Sequence, residues 1–103
     1  MRKTAAVPDL LISPAAREDL KDIGRYTQEN WGVGQRNSYL RAFGALFDDI
    51  RDGVAAGRAC PDIRPGLLSI PCNRHVIFFR RDPAGTVEIL RILHQRMDFP
   101  RHL

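Results

Sequence analysis

Apolar residues recur at two different spacings along the chain. Leu10, Leu11 and Ile12 form a short continuous run that reads as a buried strand, ended by Ser13-Pro14. Ser at an N-cap followed by Pro in the first turn predicts a helix start, because Pro lacks only an N–H that would be unpaired there. Ala16, Leu20, Ile23, Thr27 and Trp31 then recur every three or four residues, with Arg17, Glu18, Lys21, Asp22 and Arg25 on the opposite face. Gly24 weakens this helix by about 1 kcal/mol relative to Ala, which points to a close approach by a neighbouring element. Asn30-Trp31-Gly32-Val33-Gly34 stops it. Leu40, Phe43, Phe47, Ile50 and Val54 make a second stripe, predicting a helix from about Gly34 to Asp52. Two amphipathic helices on a short link make an antiparallel hairpin.

A loop rich in Ala and Gly, 53–62, leads to Arg64-Pro65-Gly66, which suits a type II turn. From Leu67 the spacing becomes that of strands: Leu67–Ile70, Arg74–Arg80 and Thr86–Leu93, separated by Pro71-Cys72-Asn73 and Asp82-Pro83-Ala84-Gly85. These are expected as consecutive hairpins of an antiparallel sheet. Strict alternation along the last run would send Val87, Ile89, Arg91 and Leu93 one way and Glu88, Leu90, Ile92 and His94 the other. Both faces are then partly apolar, and one helical hairpin covers one face. The polar tail 95–103 is too short to cover much, so the second face is expected to be a partner-binding surface.

With 103 residues the chain is expected to be one domain, 1–103, and 44% apolar with 27% charged residues excludes disorder and fibrous repeats. No apolar run approaches the ~20 residues that span a bilayer. Met1-Arg2-Lys3 opens like a signal segment, but Pro8, Asp9 and Ser13 interrupt the apolar stretch that should follow, so a cytoplasmic protein is expected. Cys60 and Cys72 stand twelve positions apart with no ligand spacing around them, which argues for reduced thiols rather than a metal site. Sixteen basic residues, fourteen of them Arg, face twelve acidic ones. Residues 1–57 are balanced at eight and eight, whereas 58–103 hold eight basic and four acidic groups. That half suits nucleic acid or an acidic protein.

The order strand, helix, helix, strand, strand, strand is carried by Leu11-Ile12-Ser13-Pro14-Ala15-Ala16-Arg17-Glu18-Asp19-Leu20, Trp31-Gly32, Arg64-Pro65-Gly66-Leu67, Arg74-His75-Val76-Ile77-Phe78-Phe79-Arg80 and Ile89-Leu90-Arg91-Ile92-Leu93-His94-Gln95-Arg96-Met97-Asp98. In these segments the chain resembles the ParE toxins of the RelE/ParE toxin–antitoxin superfamily over nearly its whole length. The resemblance implies an α+β fold in which an N-terminal strand and an antiparallel helical hairpin pack on one face of a small antiparallel sheet. It implies a toxin that poisons DNA gyrase and is neutralised by a wrapping ParD-like antitoxin, through which the complex binds operator DNA. No cofactor, metal, membrane or sequence-specific nucleic-acid contact of its own is implied. Tyr26, Trp31, Tyr39, Arg64, Arg74, Arg80 and Arg91 are the expected antitoxin-facing residues. For Trp31 a hairpin-corner core position is the competing reading, and for Tyr26 and Tyr39 a hydrogen-bonded core position. Reversing the charges of Arg80 and Arg91 together is expected to weaken binding without unfolding the chain.

The RelE branch of the superfamily cuts mRNA, so a metal-independent nuclease is the alternative. Arg74, Arg80, Arg91 and His94 could supply its cations and proton donor. Against it, Met97 and Phe99 stand where an aromatic acid would be wanted, and both lysines, Lys3 and Lys21, lie far from the strands. His94 and Arg96 also fit the ParE-like ending, as target-binding or structural residues. A direct nucleic-acid binder lacks a recognition helix and a run of aromatics between cations. A decayed toxin acting as a structural partner is the remaining reading.

Overall fold

The computed structural model describes residues 9–103, so the reading of Met1–Pro8 lies outside the described residues. Strand β1 (Leu10–Ile12) leads directly into the helical segment α1 (Pro14–Arg51). Four strands follow: β2 (Arg58–Ala59), β3 (Leu68–Cys72), β4 (His75–Arg81) and β5 (Val87–His94). A short helix, α2 (Phe99–His102), ends the chain.

Helix α1 is broken once, at Gly32, whose φ of 90° and ψ of 173° belong to a region open essentially to glycine alone. The chain doubles back there. Along an unbroken helix Gly24 and Leu40 would stand roughly 24 Å apart, yet a Cβ added to Gly24 would lie 3.3 Å from Leu40 Cδ1. Arg36 also reaches Gln28 across the turn. The two arms, 14–31 and 33–51, are therefore the antiparallel hairpin that the two stripes predict, and Gly24 marks the close approach between them.

The five strands lie in the order β1-β5-β4-β3-β2. The sheet is mixed rather than wholly antiparallel, because β1 enters it beside β5 in parallel, with Leu10 opposite Val87 and Ile12 opposite Ile89. A strand followed by a whole helical hairpin can return to its start in this way, which a tight turn could not do. The short edge strand β2 falls in the segment read as loop, pairing Arg58 with Ser69 and Ala59 with Leu68.

One irregularity changes the faces of the sheet. Phe78 pairs with Arg91 and Phe79 with Ile89, so Leu90 has no partner on β4 and β5 carries a bulge. An extra residue shifts the side-chain phase by one. Val87 and Ile89 therefore share a core with Ile92, while Leu90 and Leu93 pack on the opposite side. The strict alternation expected for this strand holds as far as Leu90 and is wrong beyond it, for that reason.

The bulge is held by α1. Ser13 caps the helix by accepting from the Ala16 N–H at 3.0 Å, and its hydroxyl donates to the Leu90 carbonyl at 2.8 Å. Its own N–H donates to Ile89 O at 3.0 Å. Asp19, one turn further on, receives the Arg91 guanidinium on both carboxylate oxygens, at 2.8 and 2.9 Å, and the Ile92 N–H at 2.9 Å. Such forked, charge-assisted bonds are stronger than neutral ones, and this pair is three-quarters or more shielded from solvent.

Two cores result. The larger lies between hairpin and sheet, with Ala16, Ile23, Phe43, Phe47 and Ile50 against Ile77, Phe79, Val87, Ile89 and Ile92. Val54, at the end of the second stripe, lies beyond the helix and is exposed. The smaller core occupies the other face, where Leu67, Phe78 and Leu93 are buried under Ile63, Phe99 and Leu103. The rings of Phe78 and Phe99 meet edge to face at 4.9 Å. The expectation of an uncovered second face is thus corrected: two apolar side chains of the tail and the loop before β3 close it.

Asp19→Ala would remove three hydrogen bonds and leave Arg91 and the Ile92 N–H without their acceptor. The expected loss is about 2–4 kcal/mol in urea unfolding. A loss under about 0.5 kcal/mol would reduce the contact to an ordinary surface pair.

Candidate functional site

At one end of the sheet the hairpin and the strands do not quite meet. The cleft between them has a volume of about 530 Å³, and its walls include Tyr26, Trp31 and Tyr39 from α1 and Arg74, His75 and His94 from the sheet. His94 reaches it because the β5 bulge places His94 directly opposite His75. Their rings meet edge to face at 5.3 Å, and Tyr39 and Phe43 flank His75 at 5.7 and 5.9 Å.

A chain of hydrogen bonds orders the floor. The Arg74 backbone N–H donates to Tyr39 Oη at 3.4 Å, and Tyr39 Oη lies 2.8 Å from His75 Nδ1. Burial pushes the Tyr39 hydroxyl above its usual range, so it keeps its proton at neutral pH. His75 is itself pushed down to about 4, first by burial and second by the charge of His94, against a smaller upward pull from Asp19. It is therefore neutral at pH 7. His94 Nδ1 accepts from the Arg96 N–H at 3.2 Å.

The rim is open. Tyr26 and Trp31 are 60% and 64% exposed, with ring centroids 6.0 Å apart. Trp31 is therefore not a core residue of the hairpin corner, and Tyr26 is not buried either. Arg74 sits in the tight turn between β3 and β4, next to Asn73 at φ 56°. Its carbonyl is tied to the Gln95 N–H at 2.9 Å. Among the described residues its guanidinium has no carboxylate partner, and neither does that of Arg96.

The other arginines singled out by charge lie elsewhere and are occupied. Arg91 is committed to Asp19 and also donates to His102 O at 3.1 Å. Reversing its charge would set a carboxylate against Asp19, so the expectation that such a variant keeps its fold is corrected. Arg80 pairs with Glu88 at 2.7 Å on the neighbouring strand. Arg64 donates to Leu103 O at 3.2 Å and helps to hold the tail. Arg81, the neighbour of Arg80, donates to Ile50 O at 2.8 Å and so closes the end of α1. Sequence reasoning did not single out Asp19, which holds Arg91, or Asp22 and Gln35, which line the cleft with His75.

Among the described residues no helix is long and apolar enough to cross a membrane, and no cluster of three or more His, Cys, Asp or Glu could hold a metal ion. The thiol of Cys72 is buried and raised by that burial.

Because His75 binds its proton less readily folded than unfolded, the unfolded chain takes up the extra proton between about pH 6.5 and 4. The contribution of His75 is complete above 6.5 and is lost as pH falls through that window. Urea unfolding at pH 7 and pH 5 is expected to show a smaller loss for His75→Gln than for the wild type. Equal losses would remove His75 from the account.

The family model described as "ParE toxin of type II toxin-antitoxin system, parDE" matches residues 10–99. Toxin ParE1 of Mycobacterium tuberculosis is 41% identical over 93 residues, covering 90% of this chain and 95% of that protein. Toxin ParE1 of Caulobacter vibrioides is 35% identical over 92 residues, covering 89% and 94%. The fold is also that of a chain in the solved structure titled "Chromosomal ParDE TA system from P. aeruginosa", with a TM-score of 0.73 at 20% identity, covering 85% of this chain and 96% of that one. On the family model and these identities, the chain belongs to the ParE toxin family of type II toxin–antitoxin systems.

Proposed function

We propose that this toxin acts in the cytoplasm by binding DNA gyrase and holding it on cleaved DNA, and that a ParD-like antitoxin neutralises it and carries the complex to operator DNA. The observation that supports this most directly is the 41% identity to a ParE1 toxin along nearly the whole chain. A toxin of this kind has no bond to make or break itself. It needs to bind the cleaved state of its target better than the resealed one, since equal affinity for both would shift nothing.

Three features weigh against the nuclease alternative. Arg80 and Arg91 are held by Glu88 and Asp19. Nδ1 of His75 is engaged by Tyr39. The tail residues Met97 and Phe99 carry no proton, and Phe99 is part of the smaller core. The feature in its favour is that Arg74, His75 and His94 share one cleft, so both activities are tested together.

For the antitoxin, the arginine excess of residues 58–103 suits an acidic segment. Of the residues expected to face it, Tyr26, Trp31 and Arg74 are open at the cleft, Tyr39 is largely its floor, and Arg64, Arg80 and Arg91 serve the fold. Wrapping by the antitoxin would cover the open set.

Purified toxin added to gyrase, ATP and supercoiled plasmid, followed by detergent and protease, is expected to yield linear DNA that disappears when antitoxin is present. A parallel ribosome-programmed mRNA is expected to stay intact. Cut mRNA with intact plasmid would reverse the assignment and make Arg74, His75 and His94 the residues to test as catalysts. Antitoxin at about 100 times its Kd should also raise the toxin's unfolding free energy by about 2.7 kcal/mol. An unchanged melting temperature would refute the wrapping.

A further inference from the structure

The cleft combines features that its hydrogen-bonded floor does not use. Trp31 and Tyr26 present large exposed aromatic surfaces at its rim, 6.0 Å apart. Their planes stand at 64°, edge to face, so one ring offers its face to a flat partner and the other borders it. Arg74 stands on the same cleft, its backbone fixed at both ends by Tyr39 and Gln95 while its guanidinium lacks a carboxylate among the described residues. Arg96, one residue beyond Gln95, brings a second cation to this end of the sheet. His94 lines the same cleft, its Nδ1 engaged by the Arg96 N–H. At about 530 Å³ the cleft is in the size range of small-ligand sites.

Asp22, the one carboxylate among the described residues that line the cleft, is paired with Arg25 at 3.5 Å, and a flat apolar body carrying an anion is the ligand that answers the exposed rings and Arg74 together. A nucleobase with its adjoining phosphate has that chemistry. In duplex DNA both faces of the base are already stacked, so the platform requires an unpaired base.

We propose that in the free toxin this cleft binds single-stranded DNA, with one unpaired base stacked on the face of Trp31, Tyr26 bordering it, and a neighbouring phosphate held by Arg74. Stacking makes the site tolerant of base identity, and the backbone contact makes it sensitive to salt. An antitoxin that covers Tyr26, Trp31 and Arg74 would close the site. The inference goes beyond the gyrase reading and does not require it, because base and phosphate are recognised by this chain alone.

Trp31 is the sole tryptophan of the chain, so its fluorescence reports on the cleft directly. An oligothymidylate of about eight nucleotides is expected to quench it, thymidine monophosphate, with its one base and one phosphate, to quench it at higher concentration, and inorganic phosphate not to quench it. With a fluorescein-labelled oligonucleotide followed by anisotropy, Trp31→Ala and Arg74→Ala should each weaken binding about tenfold. Arg41→Ala, which removes an exposed charge elsewhere on the hairpin, should change it little. The dependence of log Kobs on log salt should become shallower by about 0.7 in Arg74→Ala. Each variant replaces an exposed side chain, and circular dichroism checks its fold.

Three results would overturn the proposal. The first is no quenching by the oligonucleotide. The second is equal weakening by all three substitutions, which would mean diffuse attraction to a basic surface. The third is an acidic peptide that quenches Trp31 when the oligonucleotide does not, which would make the cleft a peptide site. The assay contains no topoisomerase, so its failure leaves the plasmid experiment standing, and the converse also holds.

Discussion

The extra residue in β5 governs the rest of the molecule. Leu90 interrupts the pairing with β4, and the phase shift that follows assigns Ile92 to the hairpin core and Leu93 to the opposite one. A bulge leaves backbone groups without ladder partners, and these must find others if they are buried. Ser13 takes the Leu90 carbonyl and Asp19 takes the Ile92 N–H. The first turn and a half of α1 thus does two things: it starts the helix and it stabilises the irregular strand. Without that support, regular pairing would turn His94 away from the cleft.

Gly32 is the second constraint. By reversing the helix it brings Tyr26 and Trp31 from one arm and Tyr39 from the other to the end of the sheet where Arg74, His75 and His94 emerge. The site is therefore built from two turns, one in the helix and one between β3 and β4, supported by ordered elements. The interior of the cleft is rigid through Tyr39 and His75, and its rim is free. That division suits binding, in which a fixed floor sets orientation and exposed side chains make contact.

Local patterns were legible in the sequence where one residue type has one physical consequence. Ser13-Pro14 starts the helix, the two stripes make the hairpin, and Gly24 marks the close contact between its arms. The strand runs were equally clear. The bulge was not, because Leu90, Ile92 and Leu93 are all apolar and alternation carries no information when both faces are covered. The cover on the second face was hidden for a related reason: Phe99 and Leu103 are two apolar residues in a polar tail, yet two suffice over so small a sheet. Charge was the poorest guide to the site. Arg64, Arg80, Arg91 and Arg74 look alike in sequence, and their partners, such as Asp19 some seventy positions from Arg91, are set by the fold.

The pairing of β1 with β5 has a consequence for the birth of the protein. The first ordered strand and the helix start are completed by residues 87–92, so the contacts of Leu10, Ser13 and Asp19 span more than seventy positions. Contacts so distant along the chain form late, because loop closure must precede them. A nascent chain that has emerged as far as the hairpin has neither the sheet edge for β1 nor the partner for Asp19. The cleft is thus complete only once residues 87–94 have joined the hairpin and strand β4.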